Sequence, residues 1–335
     1  MGQLMDISVV IPVYNAAALI EECIQSMLGQ DFQGRFEVIA VDDCSTDESP
    51  RILTHLADAA GGRLRIFKTP VNGGYPAAMN LGIQAAHGKY IARQDSDDRS
   101  HPSRLSLQFE MHEAHPEVAF VSCMRYWLTV HGKPFHAPLR PDSAYLLETW
   151  QDLVGNWRTF TDPACMFLRE RSLRVGGYNT YLRTGMDVDH WLRLMELTAA
   201  PCLNINKPLY GRRLIPNSLI YQPRTTYSNA IPRAFAQYRV ENKLPLDAEP
   251  TQVWMEAVRQ QVPATAGEFK RVRLVMDTAL VNLQMGDLRG FVDFFQVALS
   301  RNPLSALRFL AGNLLRGRLS DRLPGIPDVQ MTPLA

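Results

Sequence analysis

Residues 89–99 read KYIARQDSDDR. A short run ends in three carboxylates, Asp95, Asp97 and Asp98. Like charges this close repel and raise one another's proton affinity, so a chain keeps them on a wet loop or beside a neutralising cation. Where the run sits in the fold decides between the two. Working back from it, KYIARQ (89–94) is the fourth strand of a regular series. ISVVIPVY (7–14) is a β-branched, nearly all-apolar run, as expected of a strand covered on both faces. FEVIAVDD (36–43) and LRIFKT (64–69) are the second and third strands. Between them lie helical patterns. AALIEECIQSMLGQ carries Ile20, Cys23, Ile24 and Met27 on one face, and STDESPRILTHLADAAGG and YPAAMNLGIQAAHG follow. This βαβαβαβ order predicts an α/β fold with a mostly parallel sheet flanked by helices.

In such sheets ligands sit beyond the carboxyl ends of the strands. Tyr14 and Asn15 end the first strand, Asp42 and Asp43 the second, and Asp95, Asp97 and Asp98 follow the fourth. Residues far apart in sequence are therefore expected along one edge.

Beyond residue 100 the pattern loosens. PSRLSLQFEMHEA reads as a helix, EVAFVSCMRYWLTV as a strand entering a hairpin, DSAYLLETWQDLVGN as a helix and PACMFLRE as a strand. MDVDHWLRLMELT (186–198) places Val188, Trp191, Leu192 and Met195 at helical spacing, and PCLNINKPLYGRRL reads as an edge strand running into a loop. From about 228 the patterns are helical, with a boundary expected near 225–250: a catalytic domain over 1–225 and a mostly helical C-terminal region over 226–335.

Composition fits a soluble globular protein: 335 residues, 46% hydrophobic, 21% charged and a net charge of +1. That balance gives no field to attract nucleic acid. The cysteines Cys23, Cys44, Cys123, Cys165 and Cys202 are scattered without a CxxC pair, and read as reduced residues of a cytoplasmic protein. The N-terminus lacks a signal-peptide pattern, and no run is long enough to span a membrane.

Each acidic motif has a plain reading beside a functional one. The D-x-D of Asp95 and Asp97 is either a polar turn or an oxygen donor set for Mg²⁺ or Mn²⁺, with Asp97 the first choice of ligand. Ser45, Thr46 and Asp47 can cap the following helix, which leaves Asp43 to accept a hydrogen bond from a base edge while Tyr14 stacks on the ring. NGGYPAAMNLG (72–82) is either a strand-to-helix turn or a phosphate cradle beginning at Asn72. Asp187 and Asp189 either complement a helix dipole or, at Asp187, supply a general base. His190 reads as a core or surface residue.

Taken together, VVIPVYNAAALIEECIQSMLGQ, FEVIAVDDCSTDES, NGGYPAAMNLGIQAAHGKYIARQDSDDRSHPSRL and VGGYNTYLRTGMDVDHWLRLME resemble the family 2 glycosyltransferases of the GT-A fold, over about residues 6–220. The resemblance implies an inverting, single-displacement transfer of a sugar from a nucleotide diphosphate, preferably a UDP-sugar, to an acceptor hydroxyl of a glycan or glycolipid. It implies that Pro12, Tyr14 and Asn15 form the first nucleotide-binding segment and that Asp43 contacts the base. Asn72, Asp95 and Ser96 join the nucleotide-binding set, Asp97 is the metal ligand and Asp187 the catalytic base. The chain departs from the family pattern at Met186, where Glu is usual, at Met79, where Arg is common, and at Ile215, where His is usual. Arg212 or Arg213 is then expected to contact the diphosphate in place of that His.

Competing readings fit less well. A nucleotidyltransferase wants a glycine-rich signature at the first strand, which IPVYNAAALIEE lacks. A haloacid-dehalogenase-type phosphatase places its DxD after the first strand. A non-catalytic nucleotide-sugar-binding relative is supported by Met186 and Ile215. At the C-terminus, Leu304, Leu307, Leu310, Ala311 and Leu314 form an apolar stripe bordered by Arg301, Arg308, Arg316 and Arg318. It reads as a helical subdomain packed on the catalytic domain or on a second copy in a homodimer. The alternative is peripheral contact with the anionic inner face of a membrane.

Overall fold

The computed structural model describes residues 5–135, 143–156, 162–182, 185–216, 230–261 and 286–307, with positions 275, 276, 278, 279, 282, 283 and 309. The chain divides into two compact units. The first takes in Met1–Arg125, Arg140–Tyr210 and Asn229–Val258; the second takes in Tyr126–Leu139, Gly211–Ser228 and Arg259–Ala335.

The first unit is built on β1 (Met5–Val13), β2 (Phe36–Asp42), β3 (Leu64–Lys68) and β4 (Gly88–Arg93). They pair in parallel in the order β3-β2-β1-β4, with Val10 opposite Ile39 on one side and Arg93 on the other. Strand alternation sorts β1 between two cores. Ile7, Val9, Ile11 and Val13 pack with Ile20, Cys23 and Ile24 of α1 (Ile20–Leu28) and Leu53 of α2 (Ser49–Ala59). Val10 packs with Ala78, Met79 and Ile83 of α3 (Gly74–Ala85). These side chains are at most 1% exposed, and each Val, Leu, Ile or Met among them contributes about 1.5–3 kcal/mol by burial. Gly82 lets α3 lie close to β1, since a Cβ there would stand 2.4 Å from Val10 Cγ1.

The chain continues through β5 (Arg99–Ser100), α4 (Arg104–Ala114), β6 (Val121–Leu128), β7 (Pro134–Phe135), β8 (Tyr145–Glu148) and α5 (Trp150–Asn156). Then come β9 (Met166–Leu168), α6 (Arg169–Arg174), α7 (Met186–Thr198), β10 (Cys202–Arg213), α8 (Ala230–Glu241) and α9 (Gln252–Gln261). Two expectations need correction. DSAYLLE is not helical: Tyr145–Glu148 is a strand, paired antiparallel with Cys202–Ile205. For the same reason β10 is no edge strand, since it has partners on both sides, among them β6 and β5. The helix expected over this stretch begins only at Trp150.

In the second unit the last residues of β6 form the expected hairpin with β7, with Trp127 opposite Phe135. Helix α10 (Leu288–Arg301) is capped by Asp287, whose side chain accepts from the Gly290 amide. It packs Phe294 and Ala298 with Leu214, Val275, Met276 and Ala279. Leu304 and Leu307 of the apolar stripe are exposed, whereas Arg308, Leu310, Ala311, Leu314, Arg316 and Arg318 lie outside the described residues. Among the described residues no helix is long and apolar enough to cross a membrane. The five cysteines are free thiols, and all except the partly exposed Cys44 are buried.

Candidate active site

The first two strand ends are laced together. Pro12 is buried in β1 opposite Val41, while Tyr14 projects 53% exposed. Asn15 adopts a left-handed conformation, φ 49°, which its short amide side chain tolerates. Its Oδ1 accepts from the Thr46 amide at 2.8 Å, and its own amide donates to Ser45 Oγ at 3.0 Å. Asp47 accepts from the Ala17 and Ser49 amides, both at 2.9 Å. Residues 45–47 therefore tie the β2 end to the β1 end; of the three only Asp47 reaches α2, whose N-cap position is Glu48, so the expected capping by Ser45 and Thr46 is not what they do.

Asp43 is not left free by this lacing. Its carboxylate, 3% exposed, accepts from Thr69 Oγ1 at 2.6 Å and from the amides of Gly73 and Gly74 at 3.0 and 2.7 Å. Asn72 Nδ2 donates to the Asp43 carbonyl at 3.1 Å. The amides at the start of α3 are thus satisfied by an internal anion, and NGG behaves here as a strand-to-helix turn. A carboxylate has about four acceptor positions, so three donors leave room for one more. Asp42 Oδ1 holds the Ser45 amide at 3.1 Å.

The acidic loop is built over a buried cation. Arg104, at the start of α4, is fully buried. It donates to Gln94 Oε1 at 2.8 Å, Ser100 Oγ at 2.9 Å, Gln108 Oε1 at 3.0 Å and the Arg93 carbonyl at 2.5 Å. It therefore grips both ends of the segment that carries Asp95, Ser96, Asp97 and Asp98. The Asp95 amide donates to the Tyr210 hydroxyl at 3.2 Å, and Cys23 Sγ donates to the Asp95 carbonyl at 3.3 Å. Within this frame one carboxylate oxygen from each of Asp95, Asp97 and Asp98 lies within 4.8 Å of the others. Three hard oxygen donors, with no sulfur or imidazole among them, suit Mg²⁺ or Mn²⁺ rather than a softer metal.

Asp187 meets this loop through Arg93. Gly185, φ 75°, turns the chain into α7 and sets Asp187 in its first turn. Arg93 ends β4 with a 4% exposed side chain. Its Nη2 lies 3.1 Å from Asp95 Oδ1 and 3.6 Å from Asp187 Oδ2, and its Nε donates to the Tyr75 hydroxyl. Burial raises the Tyr75 pKa well above its ordinary value, so the phenol stays neutral. Asp189, by contrast, is turned into the unit, its Oδ2 held by Arg193 at 2.7 Å and by Asn179. His190 is a core residue, stacked on Tyr178 at 4.2 Å and hydrogen-bonded to Ser172 Oγ at 2.9 Å. Burial, with Arg193 and Arg93 nearby, holds its pKa well below the usual histidine value.

Two candidates and one departure from the family pattern complete the set. Arg212 and Arg213 belong to the second unit, where Arg212 stands 6.0 Å from the Trp127 ring and Arg213 donates to the Val130 carbonyl at 3.0 Å. Met79 is fully buried in the core behind β1. Sequence reasoning missed Arg93, Tyr75 and Arg104. The one signal for Arg93 was a cation in the last position of a mostly buried strand, GKYIAR, whose other cation, Lys89, is exposed.

Comparison with known proteins adds a lineage to this geometry. Residues 8–175 match the model of the family described as glycosyl transferase family 2. The chain is 32% identical over 219 residues to a Bacillus subtilis protein provisionally named teichuronic acid biosynthesis glycosyltransferase TuaG, covering 64% of this chain and 81% of that protein. It is 33% identical over 215 residues to an uncharacterised protein, y4gI, of Sinorhizobium fredii; that match covers 63% of this chain but only 23% of the longer relative. Among solved structures, S. aureus TarS 1-349 in complex with UDP superposes with a TM-score of 0.55 at 18% identity, covering 98% of this chain and 97% of that one. This likeness is one of fold, the GT-A arrangement.

Proposed function

The chain belongs to glycosyl transferase family 2, and on that premise we propose that it transfers a sugar, with inversion, from a UDP-sugar to the hydroxyl of a growing surface polysaccharide or glycolipid. The observation that carries this reading is the cluster of Asp95, Asp97 and Asp98 oxygens after β4, with Arg93 linking Asp95 to Asp187. The names of relatives such as the teichuronic acid protein support the polysaccharide acceptor.

In this reading Tyr14 stacks on the uracil, and the remaining acceptor position of Asp43 takes the base N3–H. Asn15, Asn72 and Ser96 shape the walls around the nucleoside. Asp97, with Asp95 and Asp98 beside it, would hold Mg²⁺ or Mn²⁺, which when bound would offset negative charge on the departing diphosphate. Asp187 takes the proton from the acceptor hydroxyl as its oxygen forms the new bond to the anomeric carbon. The bond from that carbon to the diphosphate oxygen breaks on the opposite face, and UDP leaves with the electron pair.

The test is UDP release from a panel of UDP-sugars, with Mn²⁺ and mixed glycan acceptors, by wild type, Asp187→Asn and Asp97→Ala. The reading expects turnover in the wild type and losses of about a hundredfold or more in both variants. Turnover that survives Asp187→Asn would remove the base. UDP binding without turnover of any donor would favour a nucleotide-sugar-binding protein instead.

A further inference from the structure

A guanidinium that is 4% exposed requires compensating acceptors. Arg93 finds its charged partners on two separate elements. Its Nη2 is shared between Asp95, on the loop after β4, and Asp187, in the first turn of α7, at 3.1 and 3.6 Å. Tyr75 fixes the other side of the fork by accepting from Nε, and its ring is held edge-on to Tyr178 at 5.8 Å. So one fixed cation already stands beside Asp95, a carboxylate of the acidic cluster, and links it to Asp187 in the first turn of α7.

Resting on the metal and base roles read above, we propose that Arg93 is a resident counter-cation and positioning residue. It pairs with Asp95 while no divalent cation is bound, gives up that carboxylate when one arrives, and keeps hold of Asp187. Two consequences separate this from a merely structural role. First, Arg93 and the divalent ion compete for the same negative charge. Removing the guanidinium deepens the negative potential of the cluster and strengthens Mn²⁺ binding. A residue that only kept the loop folded would weaken Mn²⁺ binding when removed. Second, Asp187 loses its tie to the loop, so turnover falls even as the metal binds more tightly.

The experiment is calorimetric titration of Mn²⁺ alone into wild type, Arg93→Met, Arg93→Lys, Tyr75→Phe and Asp97→Ala, with UDP release from the same donor panel measured alongside. Arg93→Met is expected to bind Mn²⁺ about three- to tenfold more tightly and to turn over at least about tenfold more slowly. Arg93→Lys keeps the charge, so its Mn²⁺ affinity stays near wild type. Tyr75→Phe keeps the charge but frees the fork, so Mn²⁺ affinity is unchanged while turnover drops. This conservative variant decides the matter if Arg93→Met does not fold. Mn²⁺ affinity in Arg93→Met that is equal to or weaker than wild type overturns the proposal, as does wild-type turnover in Tyr75→Phe. Undiminished Mn²⁺ binding in Asp97→Ala would instead overturn the metal reading on which it rests.

Discussion

Asp43 Oδ2 accepts the Gly74 amide at 2.7 Å, so the carboxylate at the end of β2 fixes the start of α3. Gly74 sits at φ 77°, a conformation that glycine adopts freely and other residues resist. The residue assigned to base recognition is therefore also a structural anion. Asp43→Ala strands the Thr69 hydroxyl and the Gly73 and Gly74 amides and should cost about 3 kcal/mol in urea unfolding. Gly74→Ala should cost about 1–2 kcal/mol through backbone strain alone. An unchanged midpoint in Asp43→Ala would show that the turn holds itself.

Arg104 predicts a second stability effect, at the acidic loop. Arg104→Met removes donors to Gln94, Ser100, Gln108 and the Arg93 carbonyl while filling similar space. Loss of about 3 kcal/mol is expected, with faster amide exchange over residues 94–100 than elsewhere in the unit. Uniform exchange across the unit would deny Arg104 its specific hold on the loop.

The first two strand runs were legible because burial on both faces demands a nearly continuous apolar, β-branched sequence, which Met5–Val13 supplies; the third and fourth were legible from their place in the alternation of strand and helix. Tyr145–Glu148 was not legible, because YLLE has no period of its own and becomes a strand only by pairing with Cys202–Ile205. At the site, Asp95, Asp97 and Asp98 announced themselves as a charge cluster. The occupation of Asp43 was hidden, because its donors come from Thr69, Gly73 and Gly74, some 26 to 31 positions away. Arg93 and Arg104 were hidden for a related reason: a single cation at an element's end forms no pattern until its partners fold around it.

Glu196 and Arg239 bear on where the catalytic unit ends. Arg239 on α8 forms a two-pronged ion pair with Glu196 on α7, both contacts 2.8 Å, and the arginine is 1% exposed. Arg239→Met leaves Glu196 without its cation and should cost about 3–5 kcal/mol. The paired change Glu196→Gln with Arg239→Met should recover part of that loss. No recovery would mean that the two do not act as a pair.

His112 makes stability depend on pH. It is buried against Tyr90 and the Met166 carbonyl, and burial lowers its pKa from 6.5 to about 4. The unfolded chain therefore binds more protons between those values, and stability rises with pH across that window. About 3 kcal/mol is present above pH 6.5 and is lost as pH falls toward 4. Denaturant unfolding at pH 7 and pH 4.5 should show a shallower pH dependence in His112→Gln than in wild type. Equal slopes would assign the acid sensitivity to other groups.

The most direct test of the central claim is calorimetric titration of UDP into wild type and Asp97→Ala, each with and without Mn²⁺. The account predicts UDP binding by the wild type that strengthens with Mn²⁺, and loss of that strengthening in Asp97→Ala. UDP binding that ignores Mn²⁺, or that Asp97→Ala leaves equally metal-dependent, would contradict a donor site built on the carboxylates of DSDDR.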